Sequence, residues 1–525
     1  MYDLVISNGL IVDGSGSVPF IGNIGIIKDK ISFVSTHDLE GKRSIKAEGL
    51  IVSPGFIDVH SHSDASFMLG SKLESKVFQG VTTEIIGNCG ISLFPAPNNE
   101  PYCELLKKYC AGLIEGVIDV EDRIRNIEDY KNIFIDKKNT INCGVLIGHG
   151  TLRICAMGFD NRVPNESEME VMKELLDVEL RNGALGMSLG LIYPPGSFAD
   201  INELVELAKV LKKHDAILTA HMRNENTNII DSINEMINIA KSTGVHVHIS
   251  HLKVMGKSNW GKSKEVIGLI EEANKNGAFI TFDQYPYNAS NTTLTALVPS
   301  WAHEGGTYKM LNRLSNESDE IEPQITKLIN ERGGPDRIKI SHTYGKRPEY
   351  DGMFLSNLSE EFGVSPAKTV IKVLIETEGE ASGIYYSMDD DDVNYILSQH
   401  NMIVGSDGYG IDYINYKHKG KPHPRSFGTF PRYFRLSKEN SNVKMEEVIR
   451  KVTGLPAEYF GLKNIGIIKE GNYADLSIFD WDKFKDNATY ENPFQKPEGL
   501  HYVIVSGQVL IDNGELTDNK AGRMI

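Results

Sequence analysis

Apolar and polar positions alternate with a period near two at both ends of the chain, and take up helical spacing between them. The first stretch reads as short strands joined by tight turns (LVISNG, LIVDGSG, IGNIGIIKDKISFVS, IKAEGLIV), with Asn8-Gly9 and Asp13-Gly14 as hairpin-type turn pairs. Residues 503–514 (VIVSGQVLIDNG) echo residues 5–14 (VISNGLIVDG), and residues 474–480 (ADLSIFD) supply another strand. The pattern predicts one small β-sandwich domain built from residues 1–54 and 465–525.

Between the ends, β-rich runs are separated by helical patterns such as residues 168–183 (EMEVMKELLDVELRNG) and 229–244 (IIDSINEMINIAKSTG). Such alternation predicts βα units around a parallel sheet. The runs are FIDVHSH, TTEIIGNCG, CGVLIGHG, ALGMSLGL, ILTAHMR, VHVHISH, FITFDQY and, much later, MIVGSDG. Eight is the number that a closed (β/α)8 TIM-like barrel needs, here over residues 55–464. Two more strand-like pieces, IKISH and GIYYSM, lie in the long interval before the eighth. Within that interval residues 286–345, with their prolines, Trp301 and mixed charges, suit an insertion covering the barrel mouth better than a barrel helix.

Composition narrows the possible partners. Among 525 residues, 71 acidic side chains against 55 Lys plus Arg leave a net charge of -16, which repels phosphate backbones and anionic bilayers. Neither nucleic acid nor membrane is expected as a partner, but a small molecule, for a monomer or small homo-oligomer. The five cysteines have no framework spacing, the N-terminus lacks the features of a signal peptide, and no apolar run approaches the ~18 to 20 residues of a spanning helix. A cytoplasmic location follows as an expectation.

The chemistry sits where the apolar runs end. His60 and His62 close the first, Cys89 the second, His149 the third, His221 the fifth, His251 the sixth and Asp407 the eighth. A barrel gathers all strand C-termini on one face, so these residues would converge. His60 and His62 form a His-x-His pair able to grip one cation, although two histidines on a loop would look the same. Cys89 lies in GNCG; a lone cytosolic cysteine is more often an apolar filler. With His221 and His251, however, it makes a Cys-His-His set with an open fourth position, the arrangement of catalytic zinc. Asp407 reads either as a turn or cap aspartate or as a carboxylate that moves a proton beside such a metal. His149 reads as support for the site rather than a ligand, and His246 and His248 as core or interlayer residues within a strand.

These motifs resemble those of the amidohydrolase superfamily and, within it, of the N-acyl-D-amino-acid deacylases (D-aminoacylases). The matching segments are PGFIDVHSHSD (54–64), GNCG (87–90), GHGTLR (148–153), AHMRNE (220–225), ISHLK (249–253), DQYPY (283–287), GSDG (405–408) and HPRSFGTFPR (423–432). Most relatives that bridge two metals use a carbamylated lysine from the fourth strand; GALGMSLGL has none, and Cys89 stands in its stead. The resemblance implies Cys89, His221 and His251 on a tight zinc, His60 and His62 at a second, weaker divalent site, and Asp407 as general acid/base. It also implies that Lys253, Tyr285 and Arg425 receive the substrate carboxylate, with Tyr287 as the alternative tyrosine. The activity it implies is zinc-dependent hydrolysis of the amide of N-acyl-D-amino acids. The competing readings are a cyclic-amide hydrolase of the same superfamily and an inactive barrel used as a binding module.

Overall fold

The computed structural model describes residues 1–111, 124–413, 420–439 and 443–525. All eight apolar runs become strands of one parallel sheet: β1 (Phe56–Asp58), β2 (Val81–Ile86), β3 (Asn142–Gly148), β4 (Gly186–Gly190), β5 (Ile217–His221), β6 (Val247–Ile249), β7 (Ile280–Gln284) and β8 (Met402–Val404). Every residue in them is buried, as expected where helices cover one face and a packed interior fills the other. Their order in the sheet is their order in the chain. The seam between β8 and β1 closes just past the strand ends, where Asp407 N–H donates to His60 O (2.7 Å) and His62 N–H to Gly408 O (2.9 Å). The fold is therefore a (β/α)8 barrel.

Amphipathic helices fill the connections, among them Glu166–Arg181, Ile201–Lys213, Ile229–Thr243 and Ser263–Lys275, each turning apolar side chains such as Leu176, Leu207, Ile233 and Ile270 inward. Asn165 caps the first with a reciprocal capping box to Glu168, and Asp200 caps the second.

Both chain ends build a second, nine-stranded sheet. Ile51–Pro54 pairs antiparallel with Leu476–Phe479, which joins the N-terminal strands to the C-terminal ones. Ile6, Ile26, Leu476 and Ile504 share one apolar cluster there. One expectation fails: Asn8-Gly9 is not a hairpin turn. Tyr2–Ile11 is a single ten-residue strand whose register shifts between Ile6 and Gly9, with Asn8 at φ 57°. A bulge and a two-residue turn both demand a residue that tolerates positive φ, so the same dipeptide signals either.

The long interval before β8 folds about its own core. Strands Ser290–Thr293, Ile338–His342 and Ser382–Tyr385 form a three-stranded antiparallel sheet, and helices including Thr307–Asn316, Ser318–Glu331 and Pro366–Glu376 pack against it. Asn291, Arg332 and Ser382 of this unit line the same cavity as the strand-end residues of the barrel. Among the described residues no helix is long and apolar enough to cross a membrane.

An aromatic cluster fastens barrel to terminal sheet. Phe56 of β1 lies 5.2 Å from Phe434 and 5.8 Å from Phe430, both on the helix Arg425–Glu439, and 5.8 Å from Phe479 of the terminal sheet. Phe56→Ala should cost about 3 to 5 kcal/mol through the cavity it leaves. A lowered midpoint in urea unfolding checks this; an unchanged midpoint would show the cluster to be dispensable.

Candidate functional site

The barrel brings its strand-end residues together as two overlapping clusters of donor atoms. Cys89, His221 and His251 form one; His60, His62, Cys89 and Asp407 form the other; within each, the donor atoms lie within 4.8 Å of one another and all the residues are buried. Cys89 belongs to both. Its Sγ is 3.3 Å from His60 Nε2 and 3.5 Å from His251 Nε2, and His221 Nδ1 lies 2.9 Å from His251 Nε2.

Three of these residues adopt the left-handed backbone region that side chains rarely occupy: Cys89 at φ 54°, His251 at 40° and Asp407 at 51°. Such strain costs on the order of 1–3 kcal/mol per residue and persists where the surroundings over-determine it. Here His251 N–H donates to Asp283 Oδ1 (2.9 Å), and Asp407 N–H to the carbonyl of His60. Gly90 allows the Cys89 turn to press against β4, because a Cβ there would meet Gly190 N at 2.6 Å.

The electrostatics favour a cation at the shared sulfur. Burial alone would raise the Cys89 thiol, but the imidazoles of His60 and His251 outweigh it and hold it well below the usual range, so the thiolate is available. Burial would lower His62, yet Asp407 and Cys89 raise it to about 9; a metal binding here must displace protons. Nitrogen and thiolate donors from three residues beside an open cavity suit zinc, with the fourth position left for water or substrate.

Carboxylates behind the donors aim them. Asp283 accepts from His60 Nδ1 (3.3 Å), which turns Nε2 toward Cys89, and from His248 Nε2 (3.0 Å). Glu225 Oε1 takes Lys253 Nζ at 2.7 Å and lies 3.1 Å from His251 Nδ1. Sequence reasoning missed these supports. Asp283 appears only as the first letter of DQYPY, Glu225 as the fourth residue after His221, and His248 as core.

Asp407 faces the second cluster, with Oδ1 3.0 Å from His62 Nε2, while Oδ2 makes an ion pair of 2.7 Å with Arg425 Nη1. Burial would raise its carboxyl, but Arg425, His60 and His62 hold it well below the usual carboxylate range. It is ionised at neutral pH, the state a general base needs. Arg425, Lys253 and Tyr285 line the same cavity, and the Tyr285 hydroxyl finds no hydrogen-bond partner among the described residues. Tyr287 instead donates to Pro424 O (3.3 Å). His149 stands apart from the donor clusters, bound 2.6 Å from Glu203 Oε1, whose other oxygen meets Arg153.

Asp283→Asn should weaken zinc affinity by about 10- to 100-fold, since the lost carboxylate no longer orients His60. Competition against a chelator followed by elemental analysis measures it; unchanged affinity would remove Asp283 from the metal-supporting set.

Known proteins resemble this chain over its full length. Residues 43–331 and 393–510 match the amidohydrolase family. A D-aminoacylase of Alcaligenes xylosoxydans xylosoxydans is 31% identical, covering 100% of this chain and 97% of its own. An N-acyl-D-glutamate deacylase structure from Bordetella bronchiseptica, complexed with zinc and a phosphonate mimic of the tetrahedral intermediate, superposes with a TM-score of 0.82 at 29% identity, covering 100% of this chain and 99% of that one. A D-aminoacylase structure, described by its binuclear metal centre with one-metal activation and second-metal attenuation, gives 0.82 at 32% identity with the same coverage. With Cys89 in place of a fourth-strand lysine, the chain belongs to the amidohydrolase family, among the N-acyl-D-amino-acid deacylases.

Proposed function

We propose that the protein hydrolyses the linear amide of N-acyl-D-amino acids, with zinc, to a carboxylate and a free D-amino acid. The observation that carries this reading is the buried Cys89 thiolate shared by two donor clusters and facing Asp407. Cys89, His221 and His251 would hold a tight zinc, and His60 and His62, with the same sulfur, a second and weaker divalent metal. The zinc-bound and binuclear relatives support both sites. When bound, zinc supplies Lewis acidity and makes hydroxide available near neutral pH.

Asp407 takes the proton of the attacking water and later delivers it to the amine nitrogen, which would otherwise leave poorly. Arg425, Lys253 and Tyr285 receive the α-carboxylate, the two cations by charge and the tyrosine through its spare hydroxyl. His149, tied to Glu203, is assigned a supporting role rather than a ligand's. The absence of lysine on β4 argues against hydantoinase-like or dihydroorotase-like chemistry.

The same reading divides the chain into a terminal β-sandwich unit (1–54 with 465–525), a catalytic barrel (55–464) and, within the barrel, a covering insertion (286–345). It makes the protein a cytoplasmic monomer or small homo-oligomer acting on a small molecule, with no nucleic-acid or membrane partner. Five free thiols and the net charge of -16 support that placement.

Asp407→Asn should keep its zinc and its fold yet lose kcat by at least ~10²-fold with KM little changed. Near-normal turnover would remove Asp407 from the proton-transfer role. With the carboxylate anchored at Arg425 and the carbonyl at the metal, only one enantiomer directs its side chain into free volume. A panel of N-acetyl amino acids should therefore show D over L by on the order of 10² or more in kcat/KM, and equal rates would sink the deacylase reading.

A further inference from the structure

Arg332 has no part in the chemistry described so far. It follows the helix Ser318–Glu331 of the inserted unit and is only 6% exposed. It lines the cavity that holds Cys89, His251 and Asp407, and also a wider adjoining cleft that shares Tyr193 and Thr293 with that cavity. Arg332 thus stands where the two spaces meet.

Among the described residues no carboxylate pairs with it. Every other lysine and arginine lining the two spaces has one: Arg425 at 2.7 Å, Lys253 at 2.7 Å, Arg223 at 3.0 Å, and Lys108 and Lys327 each at 3.8 Å. The guanidinium of Arg332 instead lies 4.5 Å over the ring of Tyr385. That contact and the C-terminus of its helix offset part of the cost of burying a cation. They leave its fork of N–H donors unmet, and that fork is the group best shaped to take a carboxylate through two parallel hydrogen bonds.

The strand Ser290–Thr293 relates this cation to the carboxylate anchor. Arg425 Nη2 donates to Asn291 O at 3.1 Å, while the hydroxyl of Tyr385, whose ring Arg332 covers, donates to Thr293 O at 3.3 Å. Two residues along a strand span about 7 Å. The two cations are thereby tethered to neighbouring points on one strand and line one cavity, as the two carboxylates of one small substrate would require.

We propose that Arg332 receives a second carboxylate of the substrate, so that the preferred substrates are N-acyl derivatives of acidic D-amino acids. The proposal rests on the deacylase reading, with Arg425 taking the α-carboxylate and Arg332 the side chain. A carboxylate carried by the acyl group would present the same chemistry, so the test has two arms.

With the zinc-loaded full-length enzyme, kcat/KM is measured on N-acetyl-D-glutamate against N-acetyl-D-glutamine, on N-acetyl-D-aspartate against N-acetyl-D-asparagine, and on N-succinyl- against N-acetyl-D-methionine. The expected result is an acid-over-amide advantage on the order of 10²-fold in a side-chain arm, because the neutral isostere leaves the buried guanidinium unpaired. Arg332→Met should bring that ratio toward one, mainly through KM for the acid, and Arg332→Lys should keep part of it. Zinc content and circular dichroism of the variants establish that they fold. An advantage confined to the succinyl arm would keep the carboxylate site and overturn its assignment to the side chain. Equal rates in all pairs, or an acid preference that survives Arg332→Met, would overturn the inference. Failure to turn over any N-acyl-D-amino acid would overturn the deacylase reading instead.

Discussion

A negative sulfur buried in a protein interior is tolerated only where positive charge surrounds it, and the site is organised around that requirement at Cys89. The imidazoles of His60 and His251 bring that charge to the thiolate from the ends of β1 and β6, and His221 at the end of β5 adds a hydrogen bond. Those imidazoles need carboxylates behind them, which Asp283 and Glu225 provide, and each carboxylate is in turn met by a further cation or donor, His248 or Lys253. The charges therefore alternate outward from the sulfur. The left-handed turns at Cys89 and His251 are the backbone's accommodation to the same demand, since they deliver the side chains inward from the ends of strands.

That arrangement depends on closing the barrel at the seam between β8 and β1, each only three residues long. A fully buried ion cluster sits beneath the seam. Lys76 Nζ meets Asp58 of β1 and Glu84 of β2 at 2.7 Å each and Ser406 Oγ at 2.8 Å. Ser406 N–H donates to Asp58 Oδ1 at 2.8 Å, which fixes the residue beside Asp407 against the strand that carries His60. Removing one member of such a cluster leaves uncompensated charge in the interior. The position of the carboxylate that moves the proton is thus set from below by groups that never approach the substrate.

Above the metal-binding residues, the inserted unit supplies the other wall. It has its own apolar core, so it presents a formed surface to the barrel mouth rather than a loop that must be ordered at each turnover. Asn291 accepts from Arg425, and Arg332 and Tyr344 line the cavity, so the barrel supplies the reacting groups and the insertion shapes the space around the substrate.

Much of this was legible along the chain. The eight apolar runs, their order around the barrel and the polar residues closing six of them follow from local periodicity, because a strand buried on both faces needs a continuous apolar stretch and its end needs turn chemistry. The pairing of the two chain ends could be read from the echo between residues 5–14 and 503–514, whereas Asn8-Gly9 could not be resolved into turn or bulge, since both need the same backbone angle. What only the tertiary structure decided was which charge faces which. Asp283 lies 223 positions from His60, and Arg332 lies 93 from Arg425. Nothing in their neighbours marks Asp283 as the carboxylate that aims an imidazole, or Arg332 as a cation left without one. Coulomb energy and hydrogen-bond geometry depend on separations of a few ångströms in space, and those separations exist only once the barrel has closed.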